Sequence, residues 1–139
     1  MNILIINGPN LNLLGKREPE HYGNKTFEEV LDALRGQYPD HQIDYFQSNI
    51  EGELIDRLQT ADGAYDGVIL NAGGYTHTSV AVGDAVGAID VPVVEVHVSN
   101  VMGRESFRQV SFIAPHAKGV ISGFGTDGYR LALEAFLPI

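Results

Sequence analysis

Hydrophobic residues along this chain fall into short continuous runs, separated by stretches in which they recur every third or fourth position. Ile3 to Ile6 is the first run; it stops at Asn7-Gly8-Pro9, as a strand followed by a break does. A long polar loop then extends to Lys25. Thr26-Phe27-Glu28-Glu29 reads as a capping box, and Phe27, Val30, Leu31 and Leu34 form the apolar stripe of the helix behind it. Gln42 to Ser48, with Ile43, Tyr45 and Phe46, reads as a second strand. Ser48-Asn49-Ile50-Glu51 repeats the capping signal ahead of a helix whose face holds Leu54, Ile55 and Leu58. Gly67 to Asn71 is a third strand, followed by the glycine-rich turn AGGYTHTS, a helix from Ser79 to Ala88, and a fourth strand from Val93 to Val98. SNVMGRES leads into a short helical piece around Phe107. Lys118 to Ser122 is a fifth strand, and Thr126 to Leu137 a closing helix, capped by Thr126 and stopped near Pro138.

Five strand signals alternating with helices in 139 residues predict one α/β domain over 1–139. It is a three-layer sandwich, a parallel sheet with helices on both faces, and the flavodoxin-like strand order 2-1-3-4-5 is the most frequent way to wind it. The chain is 44% hydrophobic and 19% charged, ordinary for a globular domain, and has no repeat, low-complexity tract or linker. It has no cysteine, which excludes disulfides, zinc–thiolate sites and thiol nucleophiles. No apolar run approaches a membrane span, and MNILIING lacks a signal peptide's basic leader, so a soluble cytoplasmic protein is expected. The net charge of -9 argues against nucleic acid or an anionic membrane as partner. The few cations cluster: Lys16, Arg17 and Lys25 share one loop, Arg104 and Arg108 another. Either they bind a small anion or they form a solvated surface.

In open sheets of this kind, ligands bind beyond the carboxyl ends of the strands. The residues there are Asn7-Gly8-Pro9-Asn10, Asn71-Ala72-Gly73-Gly74 and His97-Val98-Ser99-Asn100. The fourth of the strands, in Pro92 to Asn100 (PVVEVHVSN), contains two ionisable residues two positions apart, so Glu95 and His97 share a face. Burying an unpaired carboxylate costs several kcal/mol. A carboxylate behind an imidazole fixes its tautomer and suits it to general acid catalysis. A structural pair that only satisfies itself is the alternative, and the edge position favours function. A metal site with His77 and His116 as further ligands has no metal-ligand spacing behind it. Gly123 to Gly128 (GFGTDG) fits G-x-G-x-x-G, but no strand with an acidic residue follows; a turn and helix cap explain these glycines.

Four blocks, NGPNLNLLG (Asn7 to Gly15), REPEHYG (Arg17 to Gly23), NAGGYTHTSVA (Asn71 to Ala81) and EVHVSNVMGRESFR (Glu95 to Arg108), resemble the signatures of type II 3-dehydroquinate dehydratase, in the same order. The resemblance implies dehydration of 3-dehydroquinate to 3-dehydroshikimate, on the route to aromatic amino acids, without cofactor or metal. It implies Tyr22 as the base beside the ketone, Arg17 as the arginine that makes that tyrosine basic, and His97 as the acid, with Asn10 holding the enolate through a water. It places substrate binding on Asn71, His77, Val98, Ser99 and Arg108, and a second loop arginine, Arg104, near the lid. It implies a homo-oligomer, a dodecamer built from trimers, in which Asp84 reaches a neighbouring subunit's site. The chain departs from the family pattern at Gly83, where arginine is common, and at Gly103, where alanine is.

The magnitudes are compatible. Bringing a tyrosine's ionisation from its reference value to neutrality requires roughly 4 kcal/mol of preferential phenolate stabilisation. One arginine about 4 Å away supplies roughly that at an effective dielectric of 20. The rival from another class is a module that binds FMN or a phosphorylated ligand without turnover, since this fold hosts many functions. A receiver-like signalling domain would need acidic residues where Asn7 and Asn71 stand.

Overall fold

A strand covered on both faces must be apolar along its whole length, and the central strands here obey that rule. In the computed structural model, which describes residues 1–139, β1 (Asn2–Asn7) is buried at every position after Asn2. A turn of 3₁₀ helix at Leu11–Leu13 and a four-residue helix, α1 (Pro19–Tyr22), follow, then α2 (Phe27–Gln37) and β2 (Gln42–Gln47). The chain continues through α3 (Glu51–Ala61), β3 (Gly67–Asn71), α4 (Val80–Ala88) and β4 (Val93–His97) to β5 (Gly119–Ser122) and α5 (Asp127–Glu134). The five strands are parallel, in the order β2-β1-β3-β4-β5. This is the flavodoxin-like arrangement expected from the alternation of elements.

The period of the strands divides the core in two. Ile3 and Ile5 join Val94 and Val96 on one face, packed against Phe27, Val30 and Leu34 of α2 and Tyr129 and Leu133 of α5. Leu4 and Ile6 join Val68, Leu70 and Val93 on the other, packed against Leu54 and Leu58 of α3 and Val82 and Val86 of α4. Asn7 pairs with Asn71, so β1 and β3 end level. Leu70 pairs with Glu95, which puts His97 beyond the last paired residue of β3. Register thereby sets three chemically useful residues along one rim.

The helix starts correct the sequence reading in part. Thr26 caps α2 as expected, accepting the Glu29 N–H at 3.3 Å. Ser79, expected as the first helical residue, instead caps α4, accepting the Val82 N–H at 2.9 Å. Ser48 does not cap α3: its hydroxyl accepts the Ile50 N–H and donates to the Glu53 side chain, and the N-cap is Ile50, with no side-chain bond. Thr126 makes no cap bond either, being itself in helical conformation, and α5 ends at Glu134 rather than Leu137. The loop expected to run to Lys25 contains α1, which Pro19 opens with its pre-set φ.

Candidate active site

The loops beyond β1, β3 and β4 enclose a cavity. It is lined by every candidate site residue named from the sequence except Glu95 and Asp84. Glu95 lies behind the cavity wall, bonded to His97, which lines it. Asp84 is exposed on α4, away from this chain's own cavity.

The β4 side of the cavity is built on a buried strand. Glu95 is 1% exposed and His97 5%. The His97 ring donates from Nε2 to Glu95 Oε2 at 2.5 Å. That leaves Nδ1 as the ring nitrogen free for chemistry. The other carboxylate oxygen accepts from Ser111 Oγ at 2.8 Å. His77 stacks on His97 with ring centroids 5.9 Å apart and bonds the Val110 carbonyl through Nδ1 at 2.7 Å. Burial holds its pKa below the usual imidazole value, which favours the neutral ring with Nε2 as acceptor.

The opposite side is built on the loop between β1 and α2. Gly15 closes that loop: it sits at φ +90°, and a Cβ there would be 2.9 Å from the Lys25 carbonyl. Asn10 and Glu18 also adopt positive φ, 69° and 42°, which non-glycine residues hold only when their surroundings impose it. Glu18 opens α1 and Tyr22 ends it. The Tyr22 hydroxyl accepts from Arg104 Nη1 at 2.8 Å, and the same nitrogen donates to Ser99 Oγ at 3.1 Å. Arg17 sits over the Tyr22 ring, its guanidinium carbon 4.5 Å from the centroid. Two cations thus surround the phenol, one at its oxygen and one on its face. The family resemblance implies the activating part for Arg17; the direct bond to oxygen belongs to Arg104. Glu18 faces both cations, 3.2 Å from Arg17 and 4.0 Å from Arg104.

The floor between these sides is polar and fully buried at its base. Tyr129 of α5 donates to Asn7 Oδ1 at 2.8 Å and accepts from Asn71 Nδ2 at 2.9 Å. Burial pushes the Tyr129 pKa far above its ordinary value, so the hydroxyl stays neutral and can both donate and accept. Gly73 N–H donates to Asn71 Oδ1 at 3.2 Å, which settles which way that amide faces. Asn10 is held by its own N–H, which donates to Asn49 Oδ1 at 2.9 Å. Arg108 reaches the cavity but donates from Nε to the Glu105 carboxylate, at 3.2 and 3.3 Å.

The features set aside in the sequence lie elsewhere. His116 packs against Gly87 of α4, whereas His77 faces the cavity; no three histidine or carboxylate side chains gather as a metal ion would require. Gly123 and Gly125 donate their N–H groups to the carbonyls of His97 and Val98, at 3.2 and 3.0 Å, and tie the last loop to the end of β4. Ser111 and Tyr129 escaped the sequence reading. No local pattern marks Ser111, and the apolar stripe of α5 hides Tyr129 as a core residue.

Comparison with known proteins identifies the family. Residues 1–137 match the family described as dehydroquinase class II. The 3-dehydroquinate dehydratase of Ruegeria pomeroyi is 53% identical over 136 aligned residues, covering 96% of this chain and 91% of that one. The 3-dehydroquinate dehydratase of Campylobacter jejuni is 50% identical, covering all of this chain and 89% of that one. Among solved structures, the type II dehydroquinase of Butyrivibrio crossotus superposes with a TM-score of 0.94 at 41% identity, covering 98% of this chain and 97% of that one.

Proposed function

The chain belongs to the class II dehydroquinase family, and on that premise we propose that it dehydrates 3-dehydroquinate to 3-dehydroshikimate through an enolate. Tyr22, as phenolate, removes the proton from the carbon beside the ketone. The electron pair moves to the ketone oxygen, and Asn10 steadies the resulting enolate through a water. The enolate then expels the ring hydroxyl, which takes a proton from His97 and leaves as water. Tyr22 ends protonated and His97 neutral, and exchange with solvent restores both. The steps move only protons and one hydroxyl group, so they call on no metal, nucleotide or flavin.

Asn71, His77 and Arg108 bind the ring hydroxyls. The Ser99 hydroxyl and the Val98–Ser99 backbone meet the substrate carboxylate. Arg104 serves the phenolate of Tyr22 and, with Arg17, brings positive charge to a site that binds an anion. Glu95 keeps the His97 ring oriented. The observation that carries this reading is the shared cavity: a tyrosine oxygen held by a guanidinium on one side, and an imidazole backed by a buried carboxylate on the other. Groups on opposite sides of one ring suit an anti elimination.

The test is optical. The product is a conjugated enone and the substrate is not, so purified protein given dehydroquinate, with chelator present, produces an ultraviolet band. Tight FMN binding with no such band would support a ligand-binding module instead. On the same reading the protein works in the cytoplasm as a homo-oligomer, a dodecamer built from trimers, with Asp84 entering a neighbour's site. Light scattering tests the assembly.

A further inference from the structure

We propose that Ser111 is a positioning residue for the acid, holding the Glu95 carboxylate that in turn holds the His97 imidazole. The inference rests on the reading of His97 as proton donor to the leaving hydroxyl. Glu95 has two carboxylate oxygens to satisfy inside the protein. One takes the His97 proton at 2.5 Å, and the other takes the Ser111 hydroxyl at 2.8 Å. The direction of that second bond follows from what surrounds the serine. Ser111 Oγ already accepts the N–H groups of Ile113 at 3.1 Å and Ala114 at 3.0 Å. With its lone pairs so occupied, the hydroxyl proton is turned to Glu95.

The segment bearing Ser111 is itself fixed. Phe112 N–H donates to the Thr76 carbonyl at 3.0 Å, and Ile113 is fully buried. α4 approaches so closely that a Cβ on Gly83 would be 2.3 Å from the Phe112 carbonyl oxygen. A rigid loop on the α4 face therefore reaches the back of the carboxylate. Without Ser111, the Glu95 side chain loses the bond that stops it turning about its last torsion. The imidazole then loses the orientation that aims Nδ1 into the cavity.

A double-mutant cycle on the full-length enzyme tests this, with Ser111→Ala, Glu95→Gln and the two combined. Ser111→Ala is expected to lower kcat by about tenfold with KM little changed, a fraction of what general acid catalysis supplies. In the Glu95→Gln background the same change is expected to cost less than about twofold, because the serine acts through the carboxylate. Proton NMR gives a second readout: the downfield resonance of the His97 Nε2 proton moves upfield in Ser111→Ala and returns in Ser111→Thr, which keeps the hydroxyl. Full multiplication of the two losses, or an unmoved resonance, would overturn the proposal and leave Ser111 as a turn cap. Should the alanine variant not fold, Ser111→Cys, of similar volume and weaker donor strength, runs the same cycle with the same two criteria. Where Glu95→Gln slows turnover and the serine variant does not, this inference alone fails. Where Glu95→Gln leaves turnover intact, the assignment of the acid falls with it.

Discussion

The two sides of the cavity are built in opposite ways. The His97 side is a strand with all five residues buried, and its proton-bearing ring is held by bonds that lie inside the protein. The Tyr22 side is a loop whose four-residue helix buries none of its residues and is flanked by the positive-φ residues Glu18 and Gly23. There Tyr22 packs against the edge of the core and meets the guanidinium groups of Arg104 and Arg17, which come from two different loops. A buried strand holds its side chains in one orientation. On the proposed reading, the Tyr22 phenol serves as base only with both cations in place, so its reactivity depends on how two separate loops meet.

The largest effect that separates the sides is expected at the base itself. Tyr22→Phe should lower enone formation by about 10²- to 10⁴-fold, the range of general base catalysis, while isothermal titration still detects substrate binding. Turnover close to that of the parent would remove the loop from the chemistry.

The next comparison sets one cation against the other. A hydrogen bond to a charged group is worth about 1.5–3 kcal/mol, so Arg104→Ala should reduce kcat by roughly ten- to a hundredfold. Arg17→Ala should cost about tenfold or less, as befits a cation on a ring face. The reverse ranking in steady-state kinetics would return the main activating part to Arg17, as the family resemblance implies.

A smaller effect bears on the rigidity of the β4 side. Alanine is favoured over glycine inside a helix by about 1 kcal/mol. At Gly83, however, the added methyl would be 2.3 Å from the backbone oxygen of Phe112. Overpacking against backbone costs about 1–3 kcal/mol, so Gly83→Ala should lower stability in chemical denaturation, and the helix gain should not rescue it. An unchanged midpoint would mean that α4 and the Phe112 loop separate easily.

The smallest effect is a pH dependence. Burial lowers the His77 pKa, so the folded protein binds fewer protons than the unfolded chain just below the ordinary imidazole value. Stability from the neutral ring is then complete above about pH 6.5 and declines as pH falls below it. Melting curves should show that decline flattened in His77→Gln; an identical slope in both proteins would assign it to other groups.

Local pattern carried much of this protein. The apolar runs at Ile3 to Ile6, Gly67 to Asn71 and Val93 to Val98 gave the strands, and their alternation with helices gave the parallel sheet, whose order is the most frequent winding of such a chain. The two-residue period of β4 put Glu95 and His97 on one face, and Thr26 announced the cap it forms. Each of these follows from backbone geometry within a few residues.

What the tertiary structure decided lies farther apart along the chain. Arg104 meets Tyr22 across 82 residues, Tyr129 meets Asn71 across 58, and Ser111 meets Glu95 across 16. Ser48 and Thr126 had the right chemistry for caps, but Ser48 bonds Ile50 and Glu53, and Thr126 has joined the helical conformation. Periodicity says which face a side chain occupies. Which partner waits there depends on how loops from distant strands fold over the same rim, and hydrogen bonds of a few ångströms discriminate among partners that sequence spacing leaves equal.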